Sequence, residues 1–291
     1  MGVENTLKRV LIREGVLQNT SGHWRVQVGG RTNKVWKIET PGGALVCKLF
    51  ATTNANPLYP NHPGAEYEAL KALHQHAIAP EPVALLNTDI GEVLVYRHID
   101  GTSWRQDSAP VARLLARLHA LNLDIPLRRL SSGSSALIRQ TLNILDECCR
   151  VPKDMPRLVS DPSTPPLKTA VPVHTDVVAN NLVVSGNDPW LIDWQCPAMG
   201  DPCEDLSSFL SPAMQHLYGT GPLSDGEISE FLGAYPNPGV VRRYRALAAL
   251  YHWRIAAYCL WKVERGDADY KDAFTLELSA LKQAQQKQKS T

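Results

Sequence analysis

The chain has 291 residues, enough for two lobes or one large α/β unit with a substantial core. Its 30 Lys and Arg residues against 29 Asp and Glu give a formal net charge of +1, which excludes a general electrostatic attraction to nucleic acid or an anionic membrane. Six cysteines without a C-x-x-C spacing are typical of free thiols in a reducing compartment. No apolar stretch approaches the ~20 residues of a membrane span. We therefore expect a cytoplasmic protein with no nucleic-acid or membrane partner.

The first ninety-odd residues are predicted to be rich in strands. The turn segments 29–33 and 41–43, with two glycines each, separate stretches in which apolar and polar residues alternate, a pattern that predicts consecutive antiparallel hairpins. The predicted elements are strands over 24–28, 35–39 and 44–50, a helix over 66–76, and strands around 83–86 and 92–96.

After residues 99–102 the pattern changes, and the remainder is predicted to be mainly helical. The predicted helices cover 111–121, 137–149, 224–234, 240–265 and 270–286, and a Pro- and Ser-rich surface connection covers 151–169. The expected fold class is therefore α+β and bilobal, as in protein kinases. A small antiparallel β-rich lobe would span residues 1–98, and a larger, mainly helical lobe would span residues 99–291.

The segment His174-Thr175-Asp176-Val177-Val178-Ala179-Asn180-Asn181, followed by Ile192-Asp193-Trp194, contains the most informative spacing in the chain. The protein-kinase catalytic loop has the same Asp-to-Asn spacing and a metal-binding Asp further on. Asp176 is therefore the candidate catalytic base. Asn181 and Asp193 are the candidate Mg²⁺ ligands, because Mg²⁺ prefers oxygen donors. His174 is expected to position the loop by hydrogen bonding.

Lys48 lies in an otherwise apolar predicted strand. It is either a lysine at an exposed strand edge or a functional lysine that contacts the α- and β-phosphates of ATP. In the second interpretation a glutamate of the following helix holds it. Glu66 is the preferred partner and Glu68 the competitor.

The turn Gly29-Gly30-Arg31-Thr32-Asn33 is a candidate phosphate-covering loop. Gly29, Gly30, Thr32 and Asn33 could place backbone amides close to phosphates, since glycine permits close approach. An ordinary β-turn explains the same residues equally well.

Two further features have both a structural and a functional interpretation. In Gly200-Asp201-Pro202-Cys203-Glu204-Asp205-Leu206, Asp205 is expected to cap a helix and brace the catalytic loop. The aromatic residues of the long predicted helix either pack in the core or form a cage for a cationic acceptor. These residues are Tyr251, Trp253, Tyr258 and Trp261.

In these motifs the chain resembles the aminoglycoside phosphotransferase and choline kinase superfamily, particularly its choline/ethanolamine- and thiamine-kinase-like members. The resemblance spans about residues 28–210 and rests on the ordered combination of the 29–33 turn, the 174–181 loop, the 192–195 segment and the 200–206 segment. It implies a kinase-like fold and MgATP-dependent phosphorylation of a small-molecule hydroxyl. A choline-, ethanolamine- or thiamine-like alcohol is the leading acceptor. A sugar or aminoglycoside acceptor and a nucleotide-binding pseudokinase module are the alternatives.

Three positions depart from the usual family pattern. Thr175 replaces a glycine, Val178 replaces a histidine, and Gln195 replaces an acid. All three are expected to alter the surroundings of the acceptor. Because one negative charge is missing at Gln195, they disfavour a strongly cationic acceptor.

Overall fold

The computed structural model describes residues 2–19, 22–27, 32–52, 56–219 and 221–289. The chain divides into two compact units. The first comprises Met1–Thr102 with Val183–Cys196, and the second comprises Ser103–Leu182 with Pro197–Thr291. The sequence-based division at residue 98 places 183–196 in the second lobe, whereas the structure groups this segment with the first unit. Backbone hydrogen bonds explain the difference: Leu191 N donates to Ile78 O (2.9 Å) and His62 N to Gln195 O (3.0 Å).

Strands are concentrated in the first hundred residues, and helices predominate in the rest of the chain. In chain order the elements are α1 (Val3–Arg13), β1 (His23–Val26), β2 (Lys34–Glu39), β3 (Leu45–Leu49), α2 (Pro63–Leu73), β4 (Pro82–Thr88), β5 (Gly91–Arg97), β6 (Thr102–Ser103), α3 (Ser108–His119), α4 (Ser134–Asp146), β7 (Val171–Val173), β8 (Leu182–Ser185), β9 (Asp188–Leu191), β10 (Ala198–Gly200), α5 (Cys203–Leu210), α6 (Pro212–Tyr218), α7 (Asp225–Ala234), α8 (Pro238–Glu264) and α9 (Tyr270–Lys289). Single 3₁₀ turns lie at His74–His76, Met155–Arg157 and Ala179–Asn181.

The first unit contains a five-stranded antiparallel sheet with the strand order β1-β2-β3-β5-β4. This confirms the predicted β-rich N-terminal part of an α+β fold. Helix α1 was not predicted from the sequence. Its Leu7 and Leu11 are fully buried and pack with sheet residues such as Ile38 and Val95 in one apolar cluster.

Strand β3 is central in this sheet, and its side chains alternate between the two faces. Leu45, Cys47 and Leu49 belong to the cluster that α1 covers. Lys48 therefore points to the opposite face, where it pairs in register with Val35 and Leu94. The structure thus excludes the interpretation of Lys48 as an exposed edge lysine.

The second unit is mainly helical, with the 27-residue α8 as its longest helix. Pro238 occupies its first turn, and the Asn237 side chain caps it by accepting from the backbone N–H groups of Gly239 and Val240. Residues on all sides of α8 are buried, as expected for a helix surrounded by others. Strands β7 and β10 pair antiparallel and lead into the 174–181 loop and into α5. None of the helices in the described part of the chain combines the length and apolar character needed to cross a bilayer.

Candidate active site

Lys48 forms a buried ion pair in the first unit. Its Nζ donates to Glu66 Oε2 at 2.6 Å and also to the carboxylate of Asp193. Lys48 is 2% exposed and Glu66 is 0% exposed. Glu68 instead pairs with Lys71 at 3.1 Å, so the sequence-based preference for Glu66 over Glu68 matches the pairing in the structure. The ammonium of Lys48 also lies 4.9 Å from the centre of the Phe50 ring.

Burial and charge act in opposite directions on this pair. Burial lowers the pKa of Lys48, but the carboxylates of Asp193 and Glu66 outweigh it, so the pKa is raised and the ammonium stays charged. Burial raises the pKa of Glu66 to about 7, against the opposing effect of Lys48. The pair is thus a fixed cation held by one fully buried carboxyl group and one accessible carboxylate.

Asp193 follows strand β9 by two residues and adopts a left-handed backbone conformation with φ of 61°. Asp is one of the few side chains that tolerates this region. Its side chain is about one-third exposed, although it contacts the buried Lys48. The carboxylate can therefore accept from the lysine and still present an oxygen to a ligand.

A cluster of side-chain amides joins Asn33, at the end of the 29–33 turn, to Gln195 in the segment after Asp193. Asn33 Nδ2 donates to Gln195 Oε1 (3.0 Å) and Asn61 Oδ1 (2.9 Å). Asn33 Oδ1 in turn accepts from Asn61 Nδ2 (2.8 Å) and from Ala51 N (3.0 Å). The sequence predicts that Gln195 alters the surroundings of the acceptor. The structure instead directs this side chain to Asn33, so the missing acid affects the turn that carries the candidate nucleotide-binding residues.

Thr32 and Asn33 are the described members of that turn, and Thr32 is exposed. The predictions for Gly29 and Gly30 lie outside the described residues.

In the second unit, Asn181 holds the 174–181 loop, the candidate catalytic loop, around Asp176. Asn181 Nδ2 donates to the Asp176 carbonyl (2.9 Å) and to Asp176 Oδ2 (3.2 Å). His174 is fully buried, and its Nδ1 accepts from Asp176 N at 3.2 Å. His174 therefore positions the loop, as its sequence context predicts.

Asp205, which is fully buried, accepts from two backbone N–H groups of the same loop. Its Oδ2 accepts from His174 N (3.0 Å) and its Oδ1 from Thr175 N (2.7 Å). The expected bracing of the loop is thus present. The expected helix cap is wrong, because Asp201 Oδ1 rather than Asp205 accepts from Cys203 N (3.1 Å) at the start of α5.

Thr175 has a left-handed backbone conformation with φ of 69°. This region is unusual for a β-branched residue and costs on the order of 1–3 kcal/mol. Glycine, which the family usually has at this position, adopts it readily. The two Asp205 contacts, at the N–H group of Thr175 itself and at that of the preceding His174, help to hold it there.

The four aromatic residues of α8 are all buried, with exposures between 1% and 7%. Trp253 Nε1 donates to Met155 O (2.8 Å), and the Tyr258 and Trp261 rings stack with centroids 5.8 Å apart. The face of Tyr251 is covered by the guanidinium of Arg254 at 5.0 Å. Of the two interpretations, the structure supports core packing.

Arg254 also neutralises Glu204, the acid that precedes Asp205. Its Nη2 donates to Glu204 Oε2 at 2.6 Å and its Nη1 to Gln140 Oε1 at 2.8 Å. Tyr251 and Glu204 therefore already have Arg254, a cation of the chain, as their partner.

A cavity of about 1190 Å³ lies elsewhere in the second unit, among α7, α8 and α9. Leu223, Ile228 and Leu276 contribute to its apolar wall, and Asp176 and Asn181 are absent from its lining. The cavity is thus separate from the catalytic loop.

Each unit, taken by itself, offers a side-chain oxygen of the type that Mg²⁺ prefers. In the first unit Asp193 offers a partly exposed carboxylate. In the second unit the Asn181 Nδ2 is already committed to Asp176, which leaves Oδ1 as its cation-binding atom. Within the described residues, no three His, Cys, Asp or Glu side chains form a metal cluster. Mg²⁺ sites in phosphate-binding proteins typically have one or two protein ligands, and phosphate oxygens and water complete the coordination.

The sequence matches the family model described as "APH: Phosphotransferase enzyme family" over residues 23–247. The chain belongs to this family. It is therefore a phosphotransferase. No curated protein matches the sequence.

Several solved structures with a fold similar to that of this phosphotransferase are kinases or phosphotransferases whose names include a small molecule. A choline/ethanolamine kinase family protein from Mesorhizobium loti has a TM-score of 0.69 at 18% identity, covering 96% of this chain and 98% of that one. The ethanolamine kinase of Plasmodium vivax has a TM-score of 0.65 at 14% identity, with 96% and 88% covered. A spectinomycin phosphotransferase solved with ADP and spectinomycin has a TM-score of 0.57 at 14% identity, with 96% and 97% covered. At these identities the likeness establishes the protein-kinase-like fold.

Some residues of the site were not predicted from the sequence. Asn61, which lies just before α2, anchors Asn33, and His119 and Tyr235 contact Asp205 through a hydrogen-bonded chain. These partners are separated by 28 to 116 residues along the chain, and no local pattern indicates them.

Proposed function

We propose that this phosphotransferase transfers the γ-phosphoryl group of ATP to the hydroxyl of a small molecule. The observation that supports it most is the Lys48–Glu66 pair at 2.6 Å together with the Lys48–Asp193 contact. A buried lysine held by a helix glutamate is the arrangement with which kinases grip the α- and β-phosphates. Thr32 and Asn33, with Gly29 and Gly30, would cover the phosphates.

In this proposal Asp176 is the catalytic base. It orients the acceptor hydroxyl and accepts its proton as the new O–P bond forms and the bond to the β-phosphate oxygen breaks. Asn181 keeps the Asp176 carboxylate in place through its Nδ2 hydrogen bond. Asn181 and Asp193 would hold Mg²⁺, which supplies charge neutralisation at the phosphates when it is bound.

The proposed acceptor is a small alcohol of the choline, ethanolamine or thiamine type. The similar structures named as choline or ethanolamine kinases, with TM-scores of 0.64 to 0.69, support this class over aminoglycosides, for which the scores are 0.57 to 0.59. Because Arg254 already occupies the face of Tyr251, the proposal does not place a quaternary ammonium in the α8 aromatic cluster. Sugars and aminoglycosides are the alternative acceptors.

The test is a screen of small alcohols by coupled ADP release, followed by the Asp176→Asn variant with the best acceptor. The new amide oxygen can still accept from Asn181 Nδ2, so the change removes charge and basicity while keeping the loop geometry. We expect turnover to fall by ~10²–10⁴-fold while the Kd for MgATP stays nearly unchanged. Activity retained in this variant would contradict the role of Asp176. MgATP binding without product for any acceptor would indicate a nucleotide-binding module instead.

A further inference from the structure

A buried chain of hydrogen bonds connects the catalytic loop to two side chains far away in the sequence. His119, at the end of α3, contacts Asp205 Oδ2 through Nε2 (3.0 Å) and the Tyr235 hydroxyl through Nδ1 (2.9 Å). His119 is 7% exposed, Tyr235 5% and Asp205 0%. Asp205 in turn accepts from the backbone of His174 and Thr175, directly before Asp176.

The direction of these hydrogen bonds follows from their chemistry. An ionised Asp205 can only accept, so the His119 Nε2 must carry a proton. In neutral His119 the Nδ1 then accepts from the Tyr235 hydroxyl. Burial, and next the charge of Asp205, raise the pKa of Tyr235 well above its ordinary value, so this hydroxyl stays protonated. Tyr235 thus selects the tautomer of His119 that donates to Asp205.

This chain of hydrogen bonds matters because two donors compete for one oxygen of the buried Asp205 carboxylate. Its Oδ2 is shared by His119 Nε2 and His174 N, both at 3.0 Å. Without the histidine, the buried carboxylate loses its only described side-chain donor and keeps two backbone donors, and each lost donor to a buried charge is costly. It would rotate or draw in water, and the strained Thr175 (φ 69°) would lose the contacts that help hold it.

We propose that His119 and Tyr235 are positioning residues for phosphoryl transfer, because they fix the Asp205 carboxylate that sets the backbone of the catalytic loop. This inference rests on the proposed function in assigning the chemistry to Asp176. In the described hydrogen bonds the two residues meet the loop through Asp205.

A matched control is available in the same unit. His252 Nδ1 contacts the fully buried Glu277 at 2.7 Å, and Glu277 also accepts from a backbone N–H group, that of Ala213 (3.2 Å). This pair has the same histidine–carboxylate–backbone construction, but its carboxylate binds the start of α6. The control variant therefore tests the loss of a largely buried histidine away from the 174–181 loop.

The experiment compares His119→Ala, His119→Gln and Tyr235→Phe with His252→Ala. We expect kcat of His119→Ala to fall by ~10–100-fold with KM for ATP within about twofold, because a displacement near 1 Å is costly for chemistry. His119→Gln, which retains an N–H donor, should recover part of kcat, and Tyr235→Phe should lie between wild type and His119→Ala. His252→Ala, compared at equal folded fraction, should keep kcat within about twofold.

Amide hydrogen exchange of the peptide covering 171–182 is the second measurement, and it does not depend on activity. We expect faster exchange in the His119 variants than in His252→Ala, since the His174 and Thr175 N–H groups lose a fixed acceptor. Equal kcat in His119→Ala and His252→Ala, or equal protection of this peptide, would overturn the proposal. If His119→Ala does not fold, Tyr235→Phe decides by the same two measurements. If the wild-type protein phosphorylates no acceptor, the proposed function fails, while the exchange data still decide whether His119 braces the loop.

Discussion

The buried Lys48 leads to a prediction in which stability and activity respond differently. In Lys48→Met the fully buried Glu66 loses its cation, whereas Asp193, about one-third exposed, can be solvated by water. Removing one partner of a buried pair typically costs about 3–5 kcal/mol. We expect a loss of that size at pH 8, because Glu66, with its pKa raised to about 7 in the wild type, is ionised there, and without Lys48 it must either stay charged in a buried site or take up a proton.

A second change should restore the stability but not the function. In Lys48→Met/Glu66→Leu no buried charge remains on this face of β3, and apolar replacement of a buried pair is often neutral within about 1 kcal/mol. The double variant should thus approach wild-type stability and still fail to turn over ATP. The measurements are urea unfolding at pH 8 and coupled ADP release.

The neighbouring surface pair provides the control for this experiment. Lys71 lies 3.1 Å from Glu68 on the same helix, but the two side chains are 49% and 37% exposed. Lys71→Met should cost no more than about 1 kcal/mol. A Lys48→Met variant that loses as little as Lys71→Met, or a double variant no more stable than Lys48→Met, would refute the reasoning.

Three further predictions concern the first unit and one helix of the second. The pKa of Glu66 is raised in the folded state, so its contribution to stability is fully present below pH 4.5 and is lost as the pH rises to about 7. Urea unfolding from pH 4 to 8 should show this fall in the free energy of unfolding of the wild type. Glu66→Gln should give a flatter profile. Asn61→Ala removes the side-chain partner of Asn33 and should lower stability by about 1–3 kcal/mol and raise KM for ATP, and an unchanged KM would separate this amide cluster from nucleotide binding. Gly101→Ala places a Cβ 2.3 Å from a backbone carbonyl oxygen of β8 and should destabilise the protein. Gly233→Ala, in an open position of α7, should stabilise it by about 0.5–1 kcal/mol. Thermal unfolding temperatures that change in the same direction in both variants would contradict this.

The sequence was sufficient for elements with a regular period and for residues at motif spacings. Alternation predicted the hairpins of the sheet, and the turn residues around Lys48 placed it on a strand between them. The long apolar helix was predicted over 240–265 and is observed over Pro238–Glu264. In each case the physical cause is local, because the apolar period follows directly from which face is buried.

The remaining features depend on contacts between distant segments. Helix α1 is an exception, because Val3, Leu7 and Leu11 are spaced i, i+4 and i+8 on one helix face, which is a local pattern. The grouping of 183–196 with the first unit depends on backbone hydrogen bonds such as Leu191 N to Ile78 O, which have no sequence signature. The donor to Gln195 Oε1 could not be predicted either, because Asn33 lies 162 residues away along the chain.

The way Asp205 holds the catalytic loop bears on how freely that loop can vary. Asp205 grips main-chain N–H groups, which every residue except proline possesses. These two contacts therefore do not depend on which side chain stands at position 175. In the proposed mechanism the side chain at this position can change while Asp205 still fixes the backbone that leads to Asp176, so the surroundings of the acceptor can diverge while the base is kept.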